Sequence, residues 1–121
     1  MRTVDSDQIY WVVTFTVDEM DKFKPLVQKV VAAIEKEPGV MAIEYAVGPD
    51  GKTVDVYERY IDSKAANSHL VDNFLPNFSK EFMALAKPAR LVVYGAPSDE
   101  LKKTLADFHP TYMTPFDGFT R

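Results

Sequence analysis

Three residues with side chains suited to proton chemistry stand close together in the stretch DVYERYIDSKAANSHL, residues 55–70: Glu58, Tyr60 and His69. His69 is one of only two histidines in the chain. Imidazole titrates near pH 6.5, so it can act as a base around neutrality. The alternative for a helix histidine is a hydrogen bond to a carbonyl or a carboxylate. Glu58 and Tyr60 share one strand parity with Val54 and Val56. A glutamate on an otherwise apolar face is costly to bury unless it is paired. It can orient His69, pair with Arg90 as a salt bridge, or point outward where the strand twists; the salt bridge is the favoured role. Tyr60 fits a packed aromatic with its hydroxyl satisfied, or a pocket wall that meets a substrate hydroxyl.

These residues need a scaffold, and the chain supplies one in a readable order. Ile9, Trp11, Val13, Phe15 and Val17 alternate with Tyr10, Val12, Thr14 and Thr16, which is the period of a strand. Phe23, Leu26, Val27, Val30, Val31 and Ile34 then recur at steps of three and four. This predicts a helix over 19–36, with Asp18 as its cap and Pro38-Gly39 as its end. VMAIEYAV (40–47) and TVDVYERYI (53–61) flank the turn Gly48-Pro49-Asp50-Gly51 and predict an antiparallel hairpin. Asp62-Ser63 offers the cap of a second helix, kinked at Pro76 and running to about Lys87. RLVVY (90–94) predicts a fourth strand, and Ser98 caps a short helix over 99–108.

The order strand, helix, strand, strand, helix, strand is the split βαβ, ferredoxin-like arrangement of an α+β fold. Residues 1–96 form that domain, and 97–121 are a helix and aromatic tail packing on it or on a partner. Both helices fall on one face of the sheet. The other face carries Tyr10, Val12, Met41 and Ile43 beside Val92 or Val54. An open apolar face of that kind predicts a homodimer packed sheet to sheet, with the tail covering a sheet edge or reaching across.

Composition narrows the function classes. The net charge of −4 and the absence of a basic run argue against nucleic acid. No apolar run approaches the roughly 20 residues of a membrane helix, and MRTVDSDQ lacks the apolar centre of a signal peptide, so a cytoplasmic protein is expected. With no cysteine there is no disulfide, thiolate metal site or cysteine nucleophile. No His/Asp/Glu set has metal-binding spacing, and neither a phosphate-cradling glycine loop nor a nucleophile elbow is present. No cofactor is therefore expected.

EPGVMAIEYAV, the hairpin after it, VYERYIDSKAANSHL and RLVVYG together resemble the antibiotic biosynthesis monooxygenase (ABM) domain of the dimeric α/β-barrel superfamily, over roughly residues 8–96. The resemblance implies a ferredoxin-like subunit, a dimeric barrel and a small cavity between sheet and helices. Some members oxidise quinols or polyphenols with molecular oxygen and no cofactor; others degrade haem; many have no assigned activity, so fold is implied more strongly than reaction. His69 falls on the histidine position early in the second helix of the quinol oxidisers. Tyr60 stands where haem degraders have a tryptophan, and their later ligating histidine has no equivalent, its place lying near Phe74. His109 lies outside the matched region.

The implied reaction is oxygenation of a small aromatic or quinol-like molecule, with His69 as base and Tyr60 and Glu58 orienting the substrate. The alternatives are a non-catalytic ligand-binding or interaction dimer and, less favoured, haem degradation. Trp11, Phe15, Tyr45, Phe74, Phe78 and Phe82 are the expected pocket walls. For most of them a core role is the competing reading.

Overall fold

The computed structural model describes residues 6–121, so the first five residues of MRTVDSDQ lie outside it. Strand β1 (Ile9–Val17) alternates as its sequence does: Ile9, Trp11, Val13, Phe15 and Val17 are buried, and the residues between them are not. It is the central strand, hydrogen-bonded to β3 (Thr53–Tyr60) on one side and to β4 (Ala86–Tyr94) on the other. Strand β2 (Val40–Val47) pairs with β3, and the sheet order is β2-β3-β1-β4-β5. The helices cover one face, which completes the ferredoxin-like α+β fold.

Helix α1 (Met20–Ile34) buries Phe23, Leu26, Val30 and Ile34 against that face. It is shorter than its periodicity suggested, and Asp18 does not cap it. The chain enters through Glu19, whose carbonyl accepts from Lys22 and Phe23 N–H while its carboxylate pairs with Lys22 at 2.8 Å. In the β2–β3 turn the Asp50 carboxylate accepts from the N–H groups of Lys52 and Thr53, each at 2.8 Å, and from the Thr53 hydroxyl at 2.6 Å. These bonds hold its pKa down at about 2.

Two irregularities correct the expected facing of residues. The β2–β3 register shifts between Val40 and Ala42, so Ile43 lies opposite Glu58 and Tyr45 opposite Val56. Ile43 is thereby on the helix side, not on the open face, and Val54, 3% exposed, is there too. The β1–β4 register shifts between Thr14 and Phe15, next to Pro88. A bulge tolerates a residue without an N–H, so β4 starts at Ala86, ahead of the expected Arg90.

The second helical region is not one kinked helix. Helix α2 (Ser63–Ser68) is capped by Asp62, which accepts from Ala65 N–H at 2.8 Å. A π-helical stretch, His69–Phe74, follows, then α3 (Leu75–Asn77), a break at Phe78 (φ −130°) and α4 (Ser79–Leu85). Pro76 has no N–H to continue an i→i−4 ladder, and the widened turns lie just before it. Helix α5 (Asp99–Leu105), capped by Ser98, buries Leu101 and Leu105 in the same core. A 3-10 turn, Ala106–Phe108, leads through His109 (φ 50°) to β5 (Thr111–Met113), which pairs parallel with β4. The tail thus adds a fifth strand to the β4 edge and makes the sheet mixed. No helix among the described residues is long and apolar enough to cross a membrane.

Candidate active site

A cavity of about 60 Å³ lies between the sheet and the helices. Its walls are almost wholly apolar: Trp11, Val13 and Phe15 from β1, Ile43 and Tyr45 from β2, Leu70 and Phe74 from the π-helical stretch, Phe82 and Met83 from α4. Leu105 and Phe108 close it from the C-terminal extension. A carboxylate and an imidazole interrupt this lining, Glu58 and His69.

Glu58 is 8% exposed and does not meet Arg90, which pairs with Thr14 and faces the opposite side of the sheet. The favoured salt bridge is therefore replaced by two neutral donors. Trp11 Nε1–H donates to Oε2 at 2.8 Å, and the Tyr60 hydroxyl donates to Oε1 at 2.5 Å. Strand register explains both contacts: Trp11 lies directly across from Glu58, and Tyr60 is two residues along on the same face. Tyr60 is fully buried, stacked obliquely on Trp11 at 4.8 Å, and stands behind Glu58 rather than in the cavity wall. Burial, then the Glu58 charge, push its pKa well above the ordinary tyrosine value. The same two causes raise Tyr45.

His69 is 3% exposed. Its Nδ1 is 3.0 Å from Glu37 Oε2, and its Nε2 is 3.6 Å from Glu58 Oε1, beyond hydrogen-bond reach. The ring lies between Tyr60 and Phe74, with centroids 5.6 and 6.1 Å away. The two carboxylates flank opposite ring nitrogens and do not converge on one point. Consistent with this, the described residues include no cluster of three or more groups placed to hold a metal ion.

Of the expected pocket walls, Trp11, Phe15, Tyr45, Phe74 and Phe82 line the cavity. Phe78 does not. It packs against the core at the break between α3 and α4, where the backbone leaves helical geometry. Phe74 packs edge-on against Phe82.

Two polar residues of the site escape the reading from sequence. Glu37 sits before Pro38-Gly39 and reads as a solvated helix end, yet it meets His69. Asn73 Nδ2 donates to Glu37 Oε1 at 2.9 Å. Its signal was the i,i+4 spacing from His69 on an otherwise apolar stripe.

Gly39 positions this arrangement. A Cβ there would stand 2.5 Å from Ala65 Cβ, so only glycine lets the start of β2 approach α2 this closely. The Gly39 carbonyl also accepts from Ile61 N–H at 3.0 Å.

No model of a known protein family and no curated protein matches the chain. Solved structures do. MupZ from Pseudomonas fluorescens superposes with a TM-score of 0.84 at 23% identity, over 96% of this chain and 91% of that one. SnoaB from Streptomyces nogalater, a cofactor-independent oxygenase, gives 0.68 at 17% identity, over 77% and 96%. The "Putative antibiotic biosynthesis monooxygenase" from Nitrosomonas europaea gives 0.67 at 21% identity, over 76% and 92%. At these identities the likeness concerns the fold, which is ABM-like.

Proposed function

We propose that this chain, having the ABM-like fold, is an enzyme that deprotonates a small aromatic or quinol-like substrate and lets the anion react with molecular oxygen without a cofactor. The observation that carries the reading is His69, a buried imidazole whose Nε2 side faces an apolar cavity. A base there raises the electron density of a phenol, quinol or activated CH₂, and the anion can pass an electron to oxygen. For an activated CH₂ the balance is one C=O formed and one water released per O₂ consumed. Glu58 lies beside the base, held by Trp11 and Tyr60. Tyr60 is a positioning residue in this scheme, because its hydroxyl is committed to Glu58. The apolar walls keep water from the anion.

A cavity of 60 Å³ is well below the roughly 300–1,000 Å³ of ligand pockets. Entry of a two- or three-ring substrate therefore requires wall side chains to move. Phe74 and Met83, on the irregular second helical region, are the expected movers. The reading also includes a homodimer, joined through the face of the sheet away from the helices.

The test is oxygen uptake by the metal-stripped protein with a panel of hydroquinones, naphthoquinols and anthrones. Uptake above the autoxidation blank, falling by about 10²–10⁴-fold in His69→Ala, is the expected result. An unchanged rate in that variant removes His69 from the reaction. The row Glu37–His69–Glu58 favours a second reading, in which only protons move and the reaction is a proton-shift isomerisation that consumes no oxygen. Turnover of a substrate under argon would select it.

A further inference from the structure

His69 separates two carboxylates that open on different spaces. Glu58 faces the apolar cavity. Glu37, its side chain 16% exposed, lies in the wall of an outer cleft with Lys36, Lys64, Ser68 and Asn73. The ring spans the gap: Nδ1 is 3.0 Å from Glu37 on the outer side, and Nε2 points inward, 3.6 Å from Glu58. Asn73 fixes the Glu37 carboxylate in place with an N–H bond at 2.9 Å. A carboxylate accepts and does not donate, so the neutral ring meets Glu37 with Nδ1–H and keeps its lone pair on Nε2.

We propose that Glu37 is a positioning residue that sets His69 as a base toward the cavity and carries its proton to the outer cleft. The proposal rests on the base role of His69 given above and adds a route. A substrate proton goes to Nε2, and the ring becomes imidazolium. The Nδ1 proton passes to a Glu37 oxygen and from there to water in the outer cleft. The ring resets when Nε2–H is given to an oxygen of the product and Nδ1 takes a proton back through Glu37. Only protons move along this route; electrons stay with the substrate and oxygen. The apolar cavity then need not admit water for each proton transfer.

The ring itself reports on this without a substrate. Long-range ¹H–¹⁵N spectra of the labelled protein, at a pH where the ring is neutral, give the tautomer of His69; exposed His109 supplies the second signal. The wild type is expected as the Nδ1–H form, and Glu37→Ala should shift the tautomer ratio at least tenfold toward Nε2–H. In Glu37→Gln the amide oxygen still accepts from Nδ1 but cannot take its proton. The tautomer should persist while exchange of Nδ1–H with water slows tenfold or more. A wild-type ring in the Nε2–H form, or an unchanged ratio in Glu37→Ala, overturns the positioning role. Unchanged exchange in Glu37→Gln overturns the route. If Glu37→Ala does not fold, Asn73→Ala, which frees the carboxylate, must move the ratio in the same direction. None of these readouts depends on turnover, so a negative oxygen-uptake result and a failure of this relay are distinguishable.

Discussion

A carboxylate inside an apolar cavity must be neutralised, hydrogen-bonded or paired, and Glu58 is satisfied by an indole N–H and a phenol. The consequence falls on the phenol. Tyr60, and Tyr45 in the cavity wall, both hold their protons more tightly in the fold than an ordinary tyrosine does, first through burial and then through the Glu58 charge. The sign of the resulting pH dependence follows from linkage. Below about pH 10, where unfolded tyrosine is neutral, the stabilisation is fully present. It declines as pH rises beyond that, because only the unfolded chain can ionise these two groups. Phenolate absorbance should show Tyr45 and Tyr60 silent for as long as the chain stays folded. Urea midpoints should drop between pH 10 and 11, and less steeply in Tyr60→Phe. An equal slope in that variant would remove Tyr60 from the account. Parity alone made the shared face of Glu58 and Tyr60 legible in the sequence. The donors were harder to read, because Trp11 reads as core or apolar pocket wall until strand register sets its indole N–H opposite Glu58. Glu37 was illegible, since a glutamate beside Pro-Gly at a helix end is normally solvated.

The order of the first four strands and the helices between them follows directly from hydrophobic period, whereas the early start of β4 at Ala86 and the short strand β5 do not. What period does not carry is the local departure from ideal geometry, and the site is built on such departures. The π-helical stretch sets His69 and Asn73 on the same carboxylate, and the register shift in β2 turns Ile43 and Tyr45 toward the cavity. Each costs regular hydrogen bonding that tertiary packing must offset. Gly39 is the point where this packing is tightest. Gly39→Ala would place a methyl 2.5 Å from Ala65 Cβ, too close for either backbone to stay where it is. The expected cost is about 1–3 kcal/mol, as for other overpacked contacts, with α2 and His69 displaced from Glu37. Ala65→Gly in the same chain should restore much of the loss, a coupling readable by a double-mutant cycle in urea. Additive costs would mean that the two positions do not press on each other.

At the scale of the whole molecule, the sheet's second face decides what the protein assembles into. Parity read from sequence overstated its apolar area, because Ile43 and Val54 belong to the other side. Part of the remainder is covered within the chain: Tyr10 stacks on Tyr94 at 4.9 Å, and Arg59, held by Gln8, lies over Tyr10 at 4.4 Å. Val12 remains half-buried at the centre, between Tyr57 and Val92 on the neighbouring strands. Beyond the β4 edge the tail leaves Met113, Phe116 and Phe119 at 49%, 93% and 61% exposure. A central apolar strip with exposed aromatics beside it is a surface that a second copy with two-fold symmetry can cover, strip against strip and tail across the edge. Sedimentation velocity at tens of micromolar should therefore give twice the 13.7 kDa of one chain. Val12→Lys puts an ammonium on the strip, where a dimer would have to bury it unpaired. That variant should sediment as a folded monomer, with an unchanged circular dichroism spectrum. Ending the chain after Met113 should weaken the dimer without abolishing it, because the strip remains. A wild type that sediments as a monomer would leave the cavity intact and overturn the dimer.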